Sequence, residues 1–577
     1  MKIIHTTHLA SLATLALLGL AGCGSNDHDD PPDVPAPPPV AQLPQLSPAV
    51  GATLGACAEL ATRVNIPDTT ITAANEIAAG TLTIAGKPIA AHCQVLGQMF
   101  RRVSPVDGKS YAIGFEMRLP RNWNGRFFYQ ANGGVDGSVV TATGPVGGGG
   151  PLDNALNQGF AVLSSDAGHG APTPFFGIDP QARLDYGYQA VGKLTPMAKS
   201  LIAVAYGKAP DRSYIGGCSN GGRHTMVAAA RYAEQYDGYL AGNPGYRLPL
   251  AALANIAGAK TYAALAATPG DLTTGFTQAE RTLVSNAVLA KCDALDGAAD
   301  GLIQDTGACQ AAFNLERDVP TCAGTRDGTC LSSAQKTGIA ALFAGARTES
   351  GATIYTSFPY DAGFGTNGWA SWKFGAPIDR DSGAAAFIWA VPPEDPATFN
   401  GRDFVLNVNL ASLLARVNAT NPTYTESGTS FMTPPDGANL ARLKNRGAKM
   451  LVYHGTSDPI FSSDDTTAWY DALRTANSGD ASNFARFFRV PGMNHCSGGP
   501  ALDQFDMLTP LVNWVEKGQA PDSVLASARG VGNAGGVNAD LPAAWSAARS
   551  RPLCPYPKVA RYKGSGNVED AASFSCQ

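Results

Sequence analysis

The sequence predicts an α/β fold, a wound sheet carrying one large inserted lid, and three observations lead there. Strand-length apolar runs alternate with helix-compatible stretches, one run leads straight into a glycine-flanked serine, and residues 246–445 differ in texture from what lies on either side.

The strand candidates are Tyr111 to Leu119, Arg126 to Tyr129, Phe160 to Ser164, Ser213 to Ile215, Lys449 to Tyr453 and Arg486 to Val490. Each is short and apolar or alternating, as strands buried on one or both faces require. Between about Gly245 and Ala448 the chain turns to Ala-rich helical stretches, two local cysteine pairs and a Trp-rich segment from Trp369 to Trp389. Sheet-like sequence resumes at Met450, so this block reads as an insertion over the strand ends, where α/β sheets take their ligands. The expected organisation is a catalytic domain over 49–245 and 446–577 with a lid domain over 246–445. A chain of 577 residues exceeds the roughly 250 to 300 at which single cores stop growing, which also favours two structural units.

At the N-terminus, an apolar stretch from Leu9 to Leu20 is too short to span a bilayer and reads as a secretory signal over 1–22. It ends in Leu20-Ala21-Gly22-Cys23, which resembles a bacterial lipobox, so Cys23 is the expected lipidation site; an ordinary signal with a chance cysteine is the alternative. Gly24 after it fits outer-membrane sorting, and the Asp- and Pro-rich residues 23–48 read as a linker. An exported outer-membrane lipoprotein on the periplasmic or extracellular face is expected, touching the membrane only through its anchor. The net charge of -5, without a long Lys/Arg cluster, argues against a nucleic-acid partner. A monomer is expected.

The sharpest motif is Gly217-Cys218-Ser219-Asn220-Gly221-Gly222, between the strand-like Ser213 to Ile215 and a helix-compatible run from His224 to Ala233. Strand, tight turn and helix around G-x-S-x-G make a nucleophile elbow, in which small neighbours let a strained turn expose the hydroxyl. Such a serine needs a base and an orienting acid, which in α/β hydrolases follow in the order Ser, Asp, His. Asp458 ends the strand-like Val452-Tyr453-His454-Gly455-Thr456-Ser457, and His495 lies in the post-strand loop Pro491-Gly492-Met493-Asn494-His495-Cys496. His92, His169, His224 and His454 are the competing bases. The oxyanion donors are expected at the N–H of Asn220 and, from the glycine-rich Ala131-Asn132-Gly133-Gly134, at that of Gly134.

Without Cys23, ten cysteines remain of the eleven, an even set that suggests disulfides in an oxidising compartment. No CxxC pair occurs and the histidines do not cluster with them, which disfavours zinc. Cys218 precedes the proposed nucleophile and Cys496 follows the proposed base, so these two must be neighbours if the triad is right. A second constellation, Cys292-Asp293-Ala294-Leu295-Asp296-Gly297-Ala298-Ala299-Asp300-Gly301-Leu302 closed by Cys309, has three carboxylates in eight residues. It is either a hard-cation loop or a solvated acidic turn.

These motifs together resemble the tannase and feruloyl esterase family, and within it the bacterial mono(2-hydroxyethyl) terephthalate hydrolases. The likeness extends from Cys57 through Trp123-Asn124-Gly125-Arg126-Phe127-Phe128, Asp179-Pro180-Gln181-Ala182-Arg183-Leu184-Asp185, Phe505-Asp506-Met507-Leu508-Thr509-Pro510 and Arg561-Tyr562-Lys563-Gly564-Ser565-Gly566. It implies an α/β-hydrolase fold with a lid, hydrolysis of small aromatic esters without an organic cofactor, and the triad Ser219, Asp458 and His495. It further implies structural Ca2+ in the lid, on the carboxylates of Asp293, Asp296 and Asp300 and the carbonyls of Ala298 and Leu302. The implied disulfides are Cys57–Cys93, Cys218–Cys496, Cys292–Cys309, Cys322–Cys330 and Cys554–Cys576. The substrate ring is expected near Gly133, Trp372 and Phe461, with Arg380, the only arginine between Trp372 and Pro392, as partner for a substrate carboxylate. Asn220 stands where an acidic residue is expected and Gly133 where a serine is. Phenolic esters of the feruloyl or tannin type are therefore the alternative substrates, and a non-catalytic binding lipoprotein is the rival of another class.

Overall fold

The computed structural model describes residues 43–145, 147–149 and 152–577. The signal over 1–22, Cys23 and most of the linker lie outside them.

Nine strands form one central sheet: β1 (Thr69–Ile77), β2 (His92–Val103), β3 (Ser110–Pro120), β4 (Arg126–Gln130), β5 (Ala161–Ser165), β6 (Arg212–Cys218), β7 (Gly238–Gly242), β8 (Lys449–Gly455) and β9 (Ala485–Val490). Their spatial order is β9-β8-β7-β6-β4-β5-β3-β2-β1. From β5 to β9 all neighbours are parallel, whereas β1, β2 and β3 join antiparallel at the other edge. This is the mixed sheet of the α/β-hydrolase fold. Both faces are buried, by strict alternation: Phe127, Tyr129, Ile215, Val452 and Phe487 pack on one side. Phe128, Tyr214, Leu451, Tyr453 and Phe488 pack on the other. Side chains of a strand point to opposite faces in turn, so an unbroken apolar run fills two layers.

The helices include α1 (Ala190–Tyr206), α2 (Asn220–Arg231), α3 (Leu248–Leu265), α4 (Gln278–Cys292), α5 (Ser463–Ala476) and α6 (Leu508–Lys517). From α3 to Asn445 the chain is helical and irregular and adds no strand to the central sheet. A third core gathers here, with Leu253, Trp369, Phe374 and Trp389 closing on Tyr186, Ile460 and Phe461 from the sheet side. After an α-helical turn over Asn367–Ala370, the chain from Ser371 to Trp389 winds through successive wide π turns, a geometry found disproportionately at functional sites.

Every strand expected from the sequence is present, each within a few residues. Three more strands of the central sheet were not expected: β1, β2 and β7. All five implied disulfides are formed: Cys57–Cys93, Cys218–Cys496, Cys292–Cys309, Cys322–Cys330 and Cys554–Cys576. They fit an exported protein. No described helix is long and apolar enough to cross a membrane.

Candidate active site

Ser219 sits at the turn between β6 and α2 with φ 67° and ψ -126°, a strained backbone for a residue with a Cβ. The glycines around it are fixed by close approach. A Cβ on Gly217 would lie 2.1 Å from Ala131 O, one on Gly221 2.2 Å from the same atom, and one on Gly222 2.4 Å from Gly242 O. The elbow therefore packs directly against the loop that follows β4.

His495 Nε2 lies 2.8 Å from Ser219 Oγ, and its Nδ1 lies 2.7 Å from Asp458 Oδ2. The three residues come from the ends of β6, β8 and β9, which are parallel. Asp458 is buried and heavily bonded: Oδ1 accepts from the N–H of Ile460 at 2.9 Å and Phe461 at 3.0 Å, and Oδ2 accepts from Asn243 Nδ2 at 2.7 Å. Burial opposes its ionisation, but His495 and His454 beside it outweigh that and hold the carboxyl well below its ordinary range. Cys218 and Cys496 close their disulfide across the site, with Cα atoms 6.0 Å apart.

The competing histidines are engaged elsewhere. His454 lies 3.3 Å from Asp458 Oδ2, with its ring nitrogens on Thr466 Oγ1 and Phe461 O, so it braces the acid. His92 contacts Arg118 and Ala90 O. His169 stacks on Phe176 at 3.6 Å and bonds Val135 O, while His224 pairs with Asp136 at 2.9 Å.

Ser219 opens into a pocket lined by Gly134, Asn220, Val135, Tyr186, Leu248, Ala252, Ala384, Trp389, Ile460 and Phe461, with Arg380 and Asp381 among the walls. The amide N–H groups of Gly134 and Asn220 have no hydrogen-bond acceptor among the described residues, so both can receive charge developing beside Ser219. Phe461 and Trp372 approach the His495 ring edge-on at 5.2 and 4.7 Å. Gly133 flanks the nucleophile: a Cβ there would lie 3.7 Å from that of Ser219. Arg380 lies 4.6 Å over the Trp372 ring and makes no hydrogen bond or ion pair among the described residues.

Two groups here gave no signal in the sequence. Asp381 is 4% exposed, its Oδ2 has no partner, and burial pushes its carboxyl up to about 7. Asp136, in the loop after β4, is also buried and is likewise pushed up to about 7 by burial, against the pull of His169 and Arg223.

The acidic loop lies against the C-terminal segment, where Trp545 and Arg549 donate to Asp300 O, and its Leu302 shares a core with Val490 and Met493. Asp293 Oδ1 accepts from the N–H groups of Asp300 and Gly301, each at 2.9 Å, which folds the loop over its own carboxylate. Asp296 Oδ2 is buried without a partner, and the carbonyls of Ala298 and Leu302 accept no hydrogen bond among the described residues. Those three oxygens suit a hard cation. Asp300, by contrast, is turned onto Arg551, and no three His, Cys, Asp or Glu side chains group as metal ligands among the described residues.

Comparison with known proteins agrees with this geometry. Residues 93–577 match the family model described as tannase and feruloyl esterase. The mono(2-hydroxyethyl) terephthalate hydrolase of Piscinibacter sakaiensis is 40% identical over 535 residues, 86% of each chain. Feruloyl esterase B of Aspergillus niger is 28% identical, over 90% of this chain and 95% of its own. The crystal structure of feruloyl esterase B from Aspergillus oryzae superposes with a TM-score of 0.70 at 25% identity, covering 90% of this chain and 99% of that one. An elbow serine beside a histidine and a buried aspartate, on this sheet and with these relatives, leads to one conclusion: the chain belongs to the tannase and feruloyl esterase family and is a carboxylic ester hydrolase.

Proposed function

We propose that the protein hydrolyses esters of aromatic carboxylic acids through a covalent serine intermediate. The observation that carries this reading is the unbroken series Asp458, His495, Ser219, opening into a pocket walled by aromatic and aliphatic side chains. Ser219 Oγ attacks the ester carbonyl while His495 Nε2 takes its proton, and the ionised Asp458 on Nδ1 fixes the tautomer and stabilises the imidazolium. The negative charge forming on the carbonyl oxygen is received by the N–H groups of Gly134 and Asn220. The imidazolium then protonates the leaving alcohol, and water, deprotonated by the same histidine, releases the acid. Every group this scheme needs is supplied by the chain.

Within that class the substrate is a terephthalate half-ester, mono(2-hydroxyethyl) terephthalate, cleaved to terephthalate and ethylene glycol. Two things support it: the 40% identical relative of that name, and the unpaired guanidinium of Arg380 on the pocket wall, suited to the free carboxylate. One observation favours a second reading. The orphaned oxygen of Asp381 in the same pocket is a natural acceptor for a phenolic hydroxyl, which feruloyl or galloyl esters carry. Calcium belongs to the proposal as a structural ion that would hold the Asp293–Leu302 loop to itself through Asp296 and the carbonyls of Ala298 and Leu302, and Cys23 as the lipid-bearing residue.

The test is hydrolysis of mono(2-hydroxyethyl) terephthalate, methyl ferulate and a galloyl ester by the mature protein, with Ser219→Ala as control. The proposal expects turnover lost in the variant and greatest on the terephthalate half-ester. Turnover surviving in Ser219→Ala would overturn the mechanism, and preference for the phenolic esters would replace the first substrate with the second.

A further inference from the structure

The two N–H groups assigned to the oxyanion come from different parts of the chain, Gly134 from the loop after β4 and Asn220 from the elbow, and nothing covalent sets their separation. One residue touches the supports of both. The Gly134 N–H belongs to the peptide unit whose other end is Gly133 O, and that carbonyl accepts the Asp136 N–H at 3.2 Å. The side chain of the same residue reaches across: Asp136 Oδ2 accepts from Asn220 Nδ2 at 2.9 Å. Asp136 holds this position at φ 54°, a backbone cost for a residue other than glycine.

The rest of the cluster braces the pair. Asn220 Oδ1 accepts from Arg223 Nε at 2.6 Å, so the amide of Asn220 is held at both ends. His224 Nε2 lies 2.9 Å from Asp136 Oδ2, and its Nδ1 lies 3.1 Å from Arg223 Nη2, an arrangement satisfied by a neutral imidazole donating to Asp136 and accepting from Arg223. Arg223 also donates to the carbonyls of Tyr186, Gly187 and Met432. Tyr186 in turn donates through its hydroxyl to Gly134 O at 3.2 Å, and His169 fixes Val135 O at 2.7 Å. None of these side chains is needed to move a proton in the reaction, and all of them are buried.

We infer that Asp136 is a positioning residue that latches the two halves of the oxyanion hole together, its main chain holding the Gly134 donor and its carboxylate holding the Asn220 donor. Oxyanion donors act by being fixed in advance where charge will develop, so a latch that sets their separation raises kcat without adding a contact to the ground-state ester. This inference rests on the reading of Ser219 as nucleophile and of those two N–H groups as its oxyanion donors.

The experiment compares wild type with Asp136→Ala and Asn220→Ala, the first removing the acceptor while keeping the main-chain bond to Gly133 O, the second removing the latch's far end while keeping the backbone donor. Each is assayed with 4-nitrophenyl benzoate and titrated with two inhibitors. Benzeneboronic acid forms a tetrahedral adduct on the serine, and benzamide is a planar ground-state mimic. The latch predicts kcat reduced about 10- to 100-fold, short of the 100- to 1000-fold typical of deleting a donor outright. Boronate affinity should fall in step with kcat, while KM and the benzamide inhibition constant stay within about twofold. A kcat within twofold of wild type in both variants overturns the latch, as does parallel weakening of boronate and benzamide, which marks general disruption. Failure of benzeneboronic acid to bind wild type would overturn the nucleophile reading itself, and is distinguishable because it requires no variant.

Discussion

Replacing the Cys218–Cys496 disulfide by alanines, Cys218→Ala with Cys496→Ala, should damage catalysis more than binding. The bond joins the residue before the proposed nucleophile to the residue after the proposed base. It therefore constrains the distance that matters most, the 2.8 Å between His495 Nε2 and Ser219 Oγ. The two loops are also tied through the end of β7, where Gly242 O accepts the Ser219 N–H at 3.0 Å and Asn243 donates to Asn494 O and Asp458 Oδ2, so loss of the bond should loosen the geometry without scattering it. Displacement of a reacting group by about 1 Å costs up to about 100-fold, so kcat should fall about 10- to 100-fold. The pocket walls lie on neither of the two cysteines, and KM should stay within about twofold.

Stability enters separately. The two cysteines are 278 residues apart, for which the chain-entropy estimate is about 5.6 kcal/mol, just above the roughly 2 to 5 kcal/mol common for native disulfides. The assay must therefore run well below the melting temperature of the variant, with folded fraction checked by circular dichroism. Chemical reduction is a poorer probe, because Cys322–Cys330 is also partly exposed and would be reduced as well. A Cys322→Ser/Cys330→Ser double variant is the control, expected to keep wild-type kcat. If the alanine variant, folded and with both thiols absent by mass, turned over at the wild-type rate, the idea that this bond holds the catalytic geometry would be refuted.

Three further outcomes follow from the pocket and the acidic loop. Arg380→Ala should lower kcat/KM for the terephthalate half-ester about 10- to 100-fold, the loss of a charge-assisted hydrogen bond of about 1.5 to 3 kcal/mol, and leave methyl benzoate unchanged; equal losses on both esters would show that Arg380 serves the fold. Asp381 holds its proton up to about 7 when folded and releases it near 3.8 when unfolded. Between those values the unfolded chain binds fewer protons, so stability falls as pH rises through the window; the melting temperature of Asp381→Asn should gain on wild type from pH 4.5 to 7.5, and parallel curves would contradict this. Calcium bound at the loop should stabilise by about 2.7 kcal/mol at a hundredfold excess over Kd; chelation is expected to lower the melting temperature while sparing kcat at 20 °C or roughly so, and an unchanged melting temperature would argue that Arg551 already neutralises the loop.

The catalytic geometry was legible because each of its parts is announced locally. A glycine run with strand before and helix after predicts the elbow, and an aspartate and a histidine after later strand-like runs can only be placed near it once the sheet is wound. The strands that escaped notice did so for a packing reason. In β7, Gly238 and Gly242 read as turn formers, yet a Cβ on Gly238 would lie 2.3 Å from the Tyr214 ring and one on Gly242 2.1 Å from that of Tyr453. These glycines are places where neighbouring tyrosines need room, so tertiary contact overrides local propensity. The same holds for Gly97 in β2, where a Cβ would meet the Phe115 ring at 2.4 Å.

What no local pattern announces is pairing across the chain. Asp136 and Asn220 are 84 residues apart, and neither belongs to a motif that names the other. Asn220 stands where an acidic residue was expected, and the structure gives a physical account of the exchange in this chain. Its amide must donate to Asp136 and accept from Arg223 at once, which an amide can do and a carboxylate cannot. A carboxylate at position 220 would face Asp136 directly, two acids in one buried space, and one of them would have to keep its proton. The substitution Asn220→Glu should therefore reduce kcat and make the loss pH-dependent, easing as the pair is protonated at lower pH. A pH-independent loss would mean that Asn220 acts through size alone.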